Sequence, residues 1–307
     1  MKETKIMIKI IKTTVCILLV STIVFSGNKN VGTTSAMFKV LLSPKVVSLG
    51  GAYSTFTDAD SLVINPAGIS LTETKEVSVS YTKWLVDTSY GYLSFCLPTE
   101  VGSFGVSINY FAAGDMEEYG ADGNPTNKTF TANGILTSLV YSRKITEKVS
   151  LGIAGKFYYE TIEKEYAYSP SADVGSIVVL NEKLKLAAAV QNLFGSIKFI
   201  NQEDKLPLLL KVGGSYQIID NFVTAIDINL PADNNVSANI GIEYNLSFSD
   251  FVIPIRAGYN SSTDAFIGVS LGIGFRYKET VGINLAWAPS ISELDQQVLN
   301  VGVAFKF

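Results

Sequence analysis

The sequence predicts an all-β protein: a transmembrane antiparallel β-barrel of about fourteen strands with an N-terminal plug, or hatch, inside its lumen. The composition is apolar, with 47% hydrophobic residues and a mean hydropathy of +0.27. No apolar run after the N-terminus is long enough for a transmembrane helix. From Glu76 onwards, polar and apolar residues alternate with the period of a β-strand. The last alternating strand ends on an aromatic residue, as expected of a strand that closes a membrane barrel.

Residues 1–30 are interpreted as a cleaved signal peptide. Thr13–Phe25 is an apolar stretch of suitable length, and the positive region before it contains Lys2, Lys5, Lys9 and Lys12. We expect cleavage between Ser26 and Ala36. The alternative is a short membrane anchor. Cleavage would leave Cys96 as the only cysteine, which excludes an intramolecular disulfide.

The barrel is predicted for residues 76–307. Each alternating segment is close to the ten residues or so that a tilted membrane strand needs. The segments begin near Val77, Tyr90, Phe104, Phe130, Val149, Ala172, Leu184, Leu206, Phe222, Val236, Phe251, Ile267, Val281 and Leu299.

Short and long connections alternate between these segments, which is typical of barrels with short periplasmic turns and longer outer loops. The short turns are Pro98–Glu100, Ile145–Glu147, Asn181–Lys183, Ile219–Asn221, Leu246–Asp250 and Lys278–Thr280. The long loops are Ala113–Lys128, Ile162–Pro170, Asn192–Lys205 and Pro289–Gln296. Both ends of the barrel are therefore expected on the periplasmic side.

Residues 31–75 interrupt the alternation and are predicted to form the plug. A ring of about fourteen strands leaves a lumen that its own side chains do not fill. The segment carries two turn signals, Gly50–Gly51 and Asn65–Pro66. A short helical stretch is expected over Asp58–Ile64, with Thr57 or Asp58 as the N-cap.

The alternation also assigns a set of charged residues to the lumen: Lys156, Lys211, Asp227, Glu243, Arg256, Arg276 and Lys306. Five of these are basic, whereas the plug contributes Asp58, Asp60 and Glu73. We expect plug acids to pair with lumen bases, since a low dielectric constant strengthens ion pairs. The alternative is that these charges point into water.

Composition argues against several functional classes. The chain has no histidine, which excludes serine–histidine catalysis and imidazole metal ligands, and one mature cysteine cannot build a thiolate metal cage. A net charge of −4 gives no basic surface for nucleic acid. We therefore expect no enzyme, no cofactor, no metal site and no nucleic-acid partner.

Several motifs resemble those of PorV/PorQ-like outer-membrane proteins, also grouped as an uncharacterised treponemal family and related to the FadL long-chain fatty acid transporters. The motifs in the plug are Ser48-Leu-Gly-Gly-Ala-Tyr, Thr57-Asp-Ala-Asp-Ser-Leu and Asn65-Pro-Ala-Gly. The motifs in the barrel are Val190-Gln-Asn-Leu, Leu206-Pro-Leu, Gly241-Ile-Glu-Tyr and Arg256-Ala-Gly-Tyr. The resemblance implies a fourteen-stranded barrel with a hatch in the cell outer membrane. It also implies that Phe305 and Phe307 belong to a signal read by the barrel assembly machinery.

Three functions follow as expectations. The preferred one is passive, FadL-like passage of hydrophobic small molecules through the plugged lumen, with Gly50 and Gly51 as plug hinges. Asn65, Pro66, Ala67 and the adjoining Gly68 would then hold the plug against the wall. The alternative is a PorV/PorQ-type accessory of protein secretion that binds exported proteins through the predicted loops 113–128 and 192–205. A structural role among the outer-membrane lipids is the third.

Overall fold

The computed structural model describes residues 36–84, 87–262, 268–289 and 297–307. Within them, fourteen antiparallel strands form a closed barrel, which confirms the predicted β-barrel and its number of strands. Three predictions lie outside the described residues: the signal peptide, the strand start at Ile267, and residues 290–296 of the last loop.

The strands follow one another around the barrel in chain order, and four further short strands form two hairpins outside it. The barrel strands are β1 (Glu76–Lys83), β2 (Ser89–Thr99), β3 (Gly102–Ala112), β6 (Ala132–Lys144), β7 (Val149–Ile162), β8 (Glu165–Val179), β9 (Leu184–Gln191), β12 (Leu209–Ile219), β13 (Phe222–Pro231), β14 (Ser237–Ser247), β15 (Phe251–Asn260), β16 (Gly268–Tyr277), β17 (Val281–Pro289) and β18 (Gln297–Lys306). The hairpins are β4 (Met116–Tyr119) with β5 (Pro125–Phe130), and β10 (Ser196–Lys198) with β11 (Glu203–Lys205).

The first and last strands close the barrel. They pair in antiparallel fashion from Glu76 opposite Lys306 to Lys83 opposite Leu299. Lys75 and Phe307 extend the pairing, because each backbone N–H donates to the other residue's carbonyl, at 3.1 and 2.9 Å. Closure leaves the barrel without the unpaired edge that an open sheet presents.

Alternation gives the barrel two different faces. Outward side chains are apolar and exposed, for example Ile153, Leu271 and Val301, while inward ones such as Ser107, Asn109 and Ser270 are polar and buried. Successive residues of a strand point to opposite faces, so one sequence pattern specifies both surfaces. The barrel therefore presents an apolar band to its surroundings and a polar wall to its lumen.

The two rims differ, and we call them the turn end and the loop end. The turn end carries the short connections, such as residues 100–101 and 220–221, together with the start of β1 and the end of β18. The loop end carries the longer connections. Two of these, the predicted loops 113–128 and 192–205, contain the β4–β5 and β10–β11 hairpins.

The prediction of a long loop over Ile162–Pro170 is wrong. The connection between β7 and β8 contains only residues 163–164. Residues 165–170 instead continue the sheet, with Glu165 opposite Ile162 and Pro170 opposite Phe157. Polar residues in this stretch suggested a loop, but pairing with β7 satisfies their backbone groups and extends both strands. Strand starts also differ from the prediction, since β8 begins at Glu165 rather than near Ala172, and β12 at Leu209 rather than near Leu206.

Residues 36–75, the N-terminal segment, lie against the inner wall. They form one α-helix, α1 (Pro44–Ser48), and three 3₁₀ helices, Ala36–Lys39, Ala59–Val63 and Pro66–Leu71. The predicted helical turn with Asp58 as N-cap is confirmed, because the Asp58 side chain accepts a hydrogen bond from the backbone N–H of Asp60 at 3.1 Å. None of the helices in the described ranges is long and apolar enough to cross a membrane.

Candidate functional site

The N-terminal segment lies very close to several glycines of the barrel wall. A Cβ atom on Gly152 would collide with the backbone of Pro66, and one on Gly258 with the backbone of Gly50. Equivalent collisions occur around the wall at a set we call the glycine collar: Gly105, Gly152, Gly175, Gly241, Gly258, Gly272 and Gly302. The collar lets the segment pack directly on the wall, and at Gly152, Gly241 and Gly258 an added side chain would collide with its backbone.

The predicted plug residues take part in this packing. Gly50 and Gly51 have φ values of 63° and 85°, in the left-handed region that glycine adopts without strain. The Asn65 side chain caps Ala67 N–H at 3.0 Å and donates to the carbonyls of Ser54 at 2.8 Å and Ser176 at 3.1 Å. Asn65 therefore ties the segment both to itself and to β8. The hinge role of Gly50 and Gly51 stays a prediction.

Gly68 and Ala67 hold the last turn of the segment together. A Cβ on Gly68 would collide with the Ser61 side chain, so the two final 3₁₀ helices pack closely there. The Ala67 carbonyl accepts hydrogen bonds from the hydroxyls of Ser70 at 2.8 Å and Ser142 of β6 at 3.2 Å. The second bond is a further direct link between the segment and the wall.

Asp227 of β13 is the main polar anchor. Its carboxylate accepts hydrogen bonds from the backbone N–H groups of Tyr53 and Ser54, at 3.0 and 3.1 Å, and from the Ser54 hydroxyl at 2.5 Å. Lys211 of β12 lies 3.7 Å away. Asp227 is buried, so these donors replace the water that a buried carboxylate loses.

The predicted lumen charges face inwards, but they pair differently from the expectation. Wall charges pair with one another: Lys156 with Asp173 at 2.9 Å, Arg256 with Glu243 at 2.5 Å, and Arg276 with Glu279 at 3.2 Å. Glu243 and Arg256 lie directly opposite in the strand register, and neighbouring strands bring such charges together.

In the ion pairs between the segment and the barrel, the segment supplies the base and the barrel supplies the acid, which is the reverse of the expectation. Lys39 pairs with Asp233 at 2.6 Å, and Lys45 contacts Glu76 at 3.5 Å. Among the described residues, no ion pair joins Asp58, Asp60 or Glu73 to a lumen base. Lys306 acts on the Asp58 carboxylate only at longer range.

Lys45 is the centre of a buried charge cluster. Its ammonium group lies 2.7 Å from Asp58 and 2.8 Å from Asp60, besides the contact with Glu76. Burial alone would lower the pKa of Lys45, but these carboxylates outweigh it and hold that pKa well above its usual value. Burial alone would raise the pKa of Asp58, yet Lys45 and a hydrogen bond from Tyr53 lower it. Both groups are therefore charged at neutral pH.

The segment and the collar lie between two cavities. The loop-end cavity, of about 130 Å³, lies between residues 37–42 of the segment and wall residues such as Asn239 and Asn260. The turn-end cavity, of about 200 Å³, is lined by Lys45, Glu243, Arg256 and other charged residues. On β14 and β15, the collar glycines Gly241 and Gly258 fall between the two cavities.

Solved structures share this architecture. The Pseudomonas putida toluene transporter TodX has a TM-score of 0.64 at 12% identity, with 91% of this chain and 99% of that chain covered. The Ralstonia pickettii toluene transporter TbuX gives 0.60 at 15% identity, covering 86% and 97%. A Pseudomonas aeruginosa FadL homologue gives 0.57 at 10% identity, covering 92% and 100%. At these identities the likeness establishes the fold.

The sequence matches no protein-family model and no curated protein. The residues that sequence reasoning missed are Lys45, Asp173 and the glycine collar. Inward glycines recur in the alternating strands, so the collar left a signal in the pattern. The pairing of Lys45 with its acids left no such signal in the sequence, because three different parts of the chain meet there.

Proposed function

We propose that the protein is an outer-membrane channel for passive passage of hydrophobic small molecules. The observation that carries the proposal is a closed barrel, apolar outside, whose lumen holds a segment with a cavity at either end. Apart from its covalent junction with β1 at Glu76, the described part of this segment contacts the wall by packing, hydrogen bonds and ion pairs. Two of its fold neighbours are toluene transporters, which supports this class of solute.

The proposal places the barrel in a cell outer membrane with its apolar band against lipid. The turn end would face the periplasm and the loop end the outside, as in other barrels of this kind. Assembly would depend on the aromatic strand end at Phe305 and Phe307. Residues 31–75 would be the hatch, residues 76–307 the channel wall, and the channel would need neither catalysis nor a cofactor.

Passage requires the hatch to shift, because the collar contacts leave no room for a solute beside it. Gly50 and Gly51 would absorb the change in backbone direction, while Asn65 and Asp227 would keep part of the hatch attached to the wall. The lumen charges that pair within the wall, such as Glu243 with Arg256, would keep their partners during this movement.

A reversible lock tests the proposal. An ideal Cβ on Gly241 lies 2.9 Å from the Leu49 Cβ and 2.8 Å from the Leu49 carbonyl oxygen. The Cβ atoms of a relaxed disulfide lie roughly 3.5–4.5 Å apart, so the segment must shift slightly away from the wall for the bond to form. Replacing Leu49 also gives the segment room to adjust. The double variant Leu49→Cys/Gly241→Cys should therefore link the hatch to the wall when oxidised.

We expect cells that make the oxidised variant to take up radiolabelled toluene at least about fivefold more slowly than the same cells after reduction. The two single-cysteine variants are the matched controls and should not respond to reductant. Equal uptake in oxidised, reduced and barrel-free cells would contradict passage through the lumen.

The secretion alternative depends on the resemblance alone. It requires exported proteins to bind at the loop end, where the β4–β5 and β10–β11 hairpins lie. Co-purification of secreted proteins in mild detergent, lost on deletion of the β4–β5 hairpin, would favour it over passage.

A further inference from the structure

We infer that the loop-end cavity selects small uncharged molecules that combine an apolar body with a hydrogen-bonding group, such as a simple phenol, over hydrocarbons and carboxylates. The inference rests on the proposed function and names the solute class of that channel. It follows from the two faces of the cavity, its charges, its size and the nature of the cavity beyond the collar.

The cavity has one mostly apolar and one mostly polar face. The N-terminal segment contributes the apolar face through side chains that include Phe38, Leu41 and Leu62. The barrel wall contributes polar side chains that include Asn109, Asn229 and Asn239. A molecule that satisfies both faces needs an apolar body and a polar group on one edge.

The asparagines of the polar face are incompletely hydrogen-bonded. The side-chain oxygens of Asn109, Asn229 and Asn239 have no hydrogen-bond partner among the described residues, and the three residues are only 1%, 8% and 2% exposed. A buried polar group without a partner is costly, so such groups favour a ligand that supplies one. Because an amide can rotate to present either its oxygen or its NH₂ group, a hydroxyl that both donates and accepts is a good match.

The charges that line the cavity already have partners. Lys156 pairs with Asp173, Lys211 with Asp227, and Lys39 with Asp233. A carboxylate entering the cavity would lose its hydration and would have to compete with an aspartate for each lysine. Neutral ligands avoid this cost, which is why the inference excludes fatty acids and aromatic acids as preferred ligands.

The size of the cavity favours a single ring. Its volume of about 130 Å³ is close to the roughly 150 Å³ of an engineered apolar cavity that binds benzene. A long acyl chain would extend well beyond it. The turn-end cavity adds a second selection, because its lining includes Lys45, Arg256 and Lys306. A molecule that continues past the collar meets charged surroundings, which favour a phenol over a hydrocarbon.

Equilibrium dialysis against three ligands of similar shape tests the inference: 4-methylphenol, toluene and 4-methylbenzoate. The protein is held in lipid nanodiscs, with empty nanodiscs as the blank. We expect 4-methylphenol to bind about tenfold more tightly than either of the others. In the double variant Asn229→Leu/Asn239→Leu, this preference over toluene should disappear while toluene still binds.

Asn221→Leu, in the turn between β12 and β13, is the matched control and should keep the wild-type preference. Retained toluene binding and an unchanged heat-dependent gel shift show that the double variant is folded. Toluene or 4-methylbenzoate binding as tightly as 4-methylphenol in the wild type would overturn the inference, as would an unchanged preference in the double variant.

The dialysis result and the lock experiment separate two kinds of failure. If 4-methylphenol is preferred but uptake ignores the lock, passage through the lumen is wrong while the cavity's selectivity stands. If uptake depends on the lock but 4-methylphenol is not preferred, the inferred solute class alone is wrong.

Discussion

At the scale of single residues, the absence of a side chain determines how the lumen is filled. Strand β7 illustrates this with two glycines three positions apart. Gly152 faces the lumen and leaves no space for a Cβ beside Pro66, whereas a Cβ on Gly155 would have no atom within 4 Å. The same residue type is thus essential for packing at one position and dispensable at the other.

Gly152→Ala should displace the N-terminal segment, because the added methyl group would collide with backbone atoms that cannot rotate away. We expect a destabilisation of about 1–3 kcal/mol, typical of overpacking, and faster proteolysis within residues 36–75. Thermal unfolding and limited proteolysis measure the two effects. Gly155→Ala is the matched control, and a similar response from both variants would show that the collar contact does not hold the segment.

At the scale of elements, the N-terminal segment is held by a few buried polar groups. Asp227 secures it beside β13, Asn65 beside β8, and Lys45 beside β1. In the Lys45 cluster, the pKa values of Lys45 and Asp58 are both shifted from their usual values, so docking of the segment at this point is linked to pH.

The linkage has a definite sign. The Asp58 pKa is lowered, so its contribution is present above the free value of about 3.9 and is lost as pH falls through the lowered pKa. The Lys45 pKa is raised, so its contribution is present below about 10.4 and is lost as pH rises through the raised pKa. We expect the contribution of the Asp58–Lys45 pair to docking to be nearly constant between about pH 4 and 10 and to weaken outside that range.

Amide hydrogen exchange over residues 44–60 measures this profile. The variant Lys45→Met should reverse the acid side of this profile, so that docking strengthens as pH falls, because burial without Lys45 would raise the pKa of Asp58 instead of lowering it. Removing one partner from a buried pair also costs about 3–5 kcal/mol. Arg276→Met, which leaves the Lys45 cluster intact, is the control. If docking responds to acid in the same way in the wild type and in Lys45→Met, the Asp58–Lys45 pair does not link docking to pH.

At the scale of the whole molecule, closure of the barrel depends on one seam between β1 and β18. Backbone pairing continues through Lys75 and Phe307, and the Phe307 ring adds side-chain contacts across the seam. Its centroid lies 6.5 Å from that of Phe95 on β2, and the Lys75 ammonium lies 5.9 Å from the ring centre.

Phe307→Ala should keep the backbone bonds but lose these ring contacts, and we expect a severalfold smaller fraction of assembled barrel. The heat-modifiable band of membrane fractions on a gel measures that fraction. Phe248→Ala removes an exposed aromatic at the same end, between β14 and β15, and should leave assembly unchanged. Equal loss in both variants would indicate a general need for aromatic residues at this end.

The sequence alone determined the barrel, its strand number of about fourteen, the inward position of Lys156, Asp227 and Arg256, and a helical turn with its cap at Thr57 or Asp58. These features depend on strand alternation and local turn chemistry, which act over a few residues. Only the tertiary structure decided which charges pair, that Lys45 rather than a wall base meets the acids of the segment, and that residues 165–170 form strand rather than loop. Those outcomes depend on strand register and on how tightly the segment fits a glycine-lined wall, and both join residues far apart in the chain.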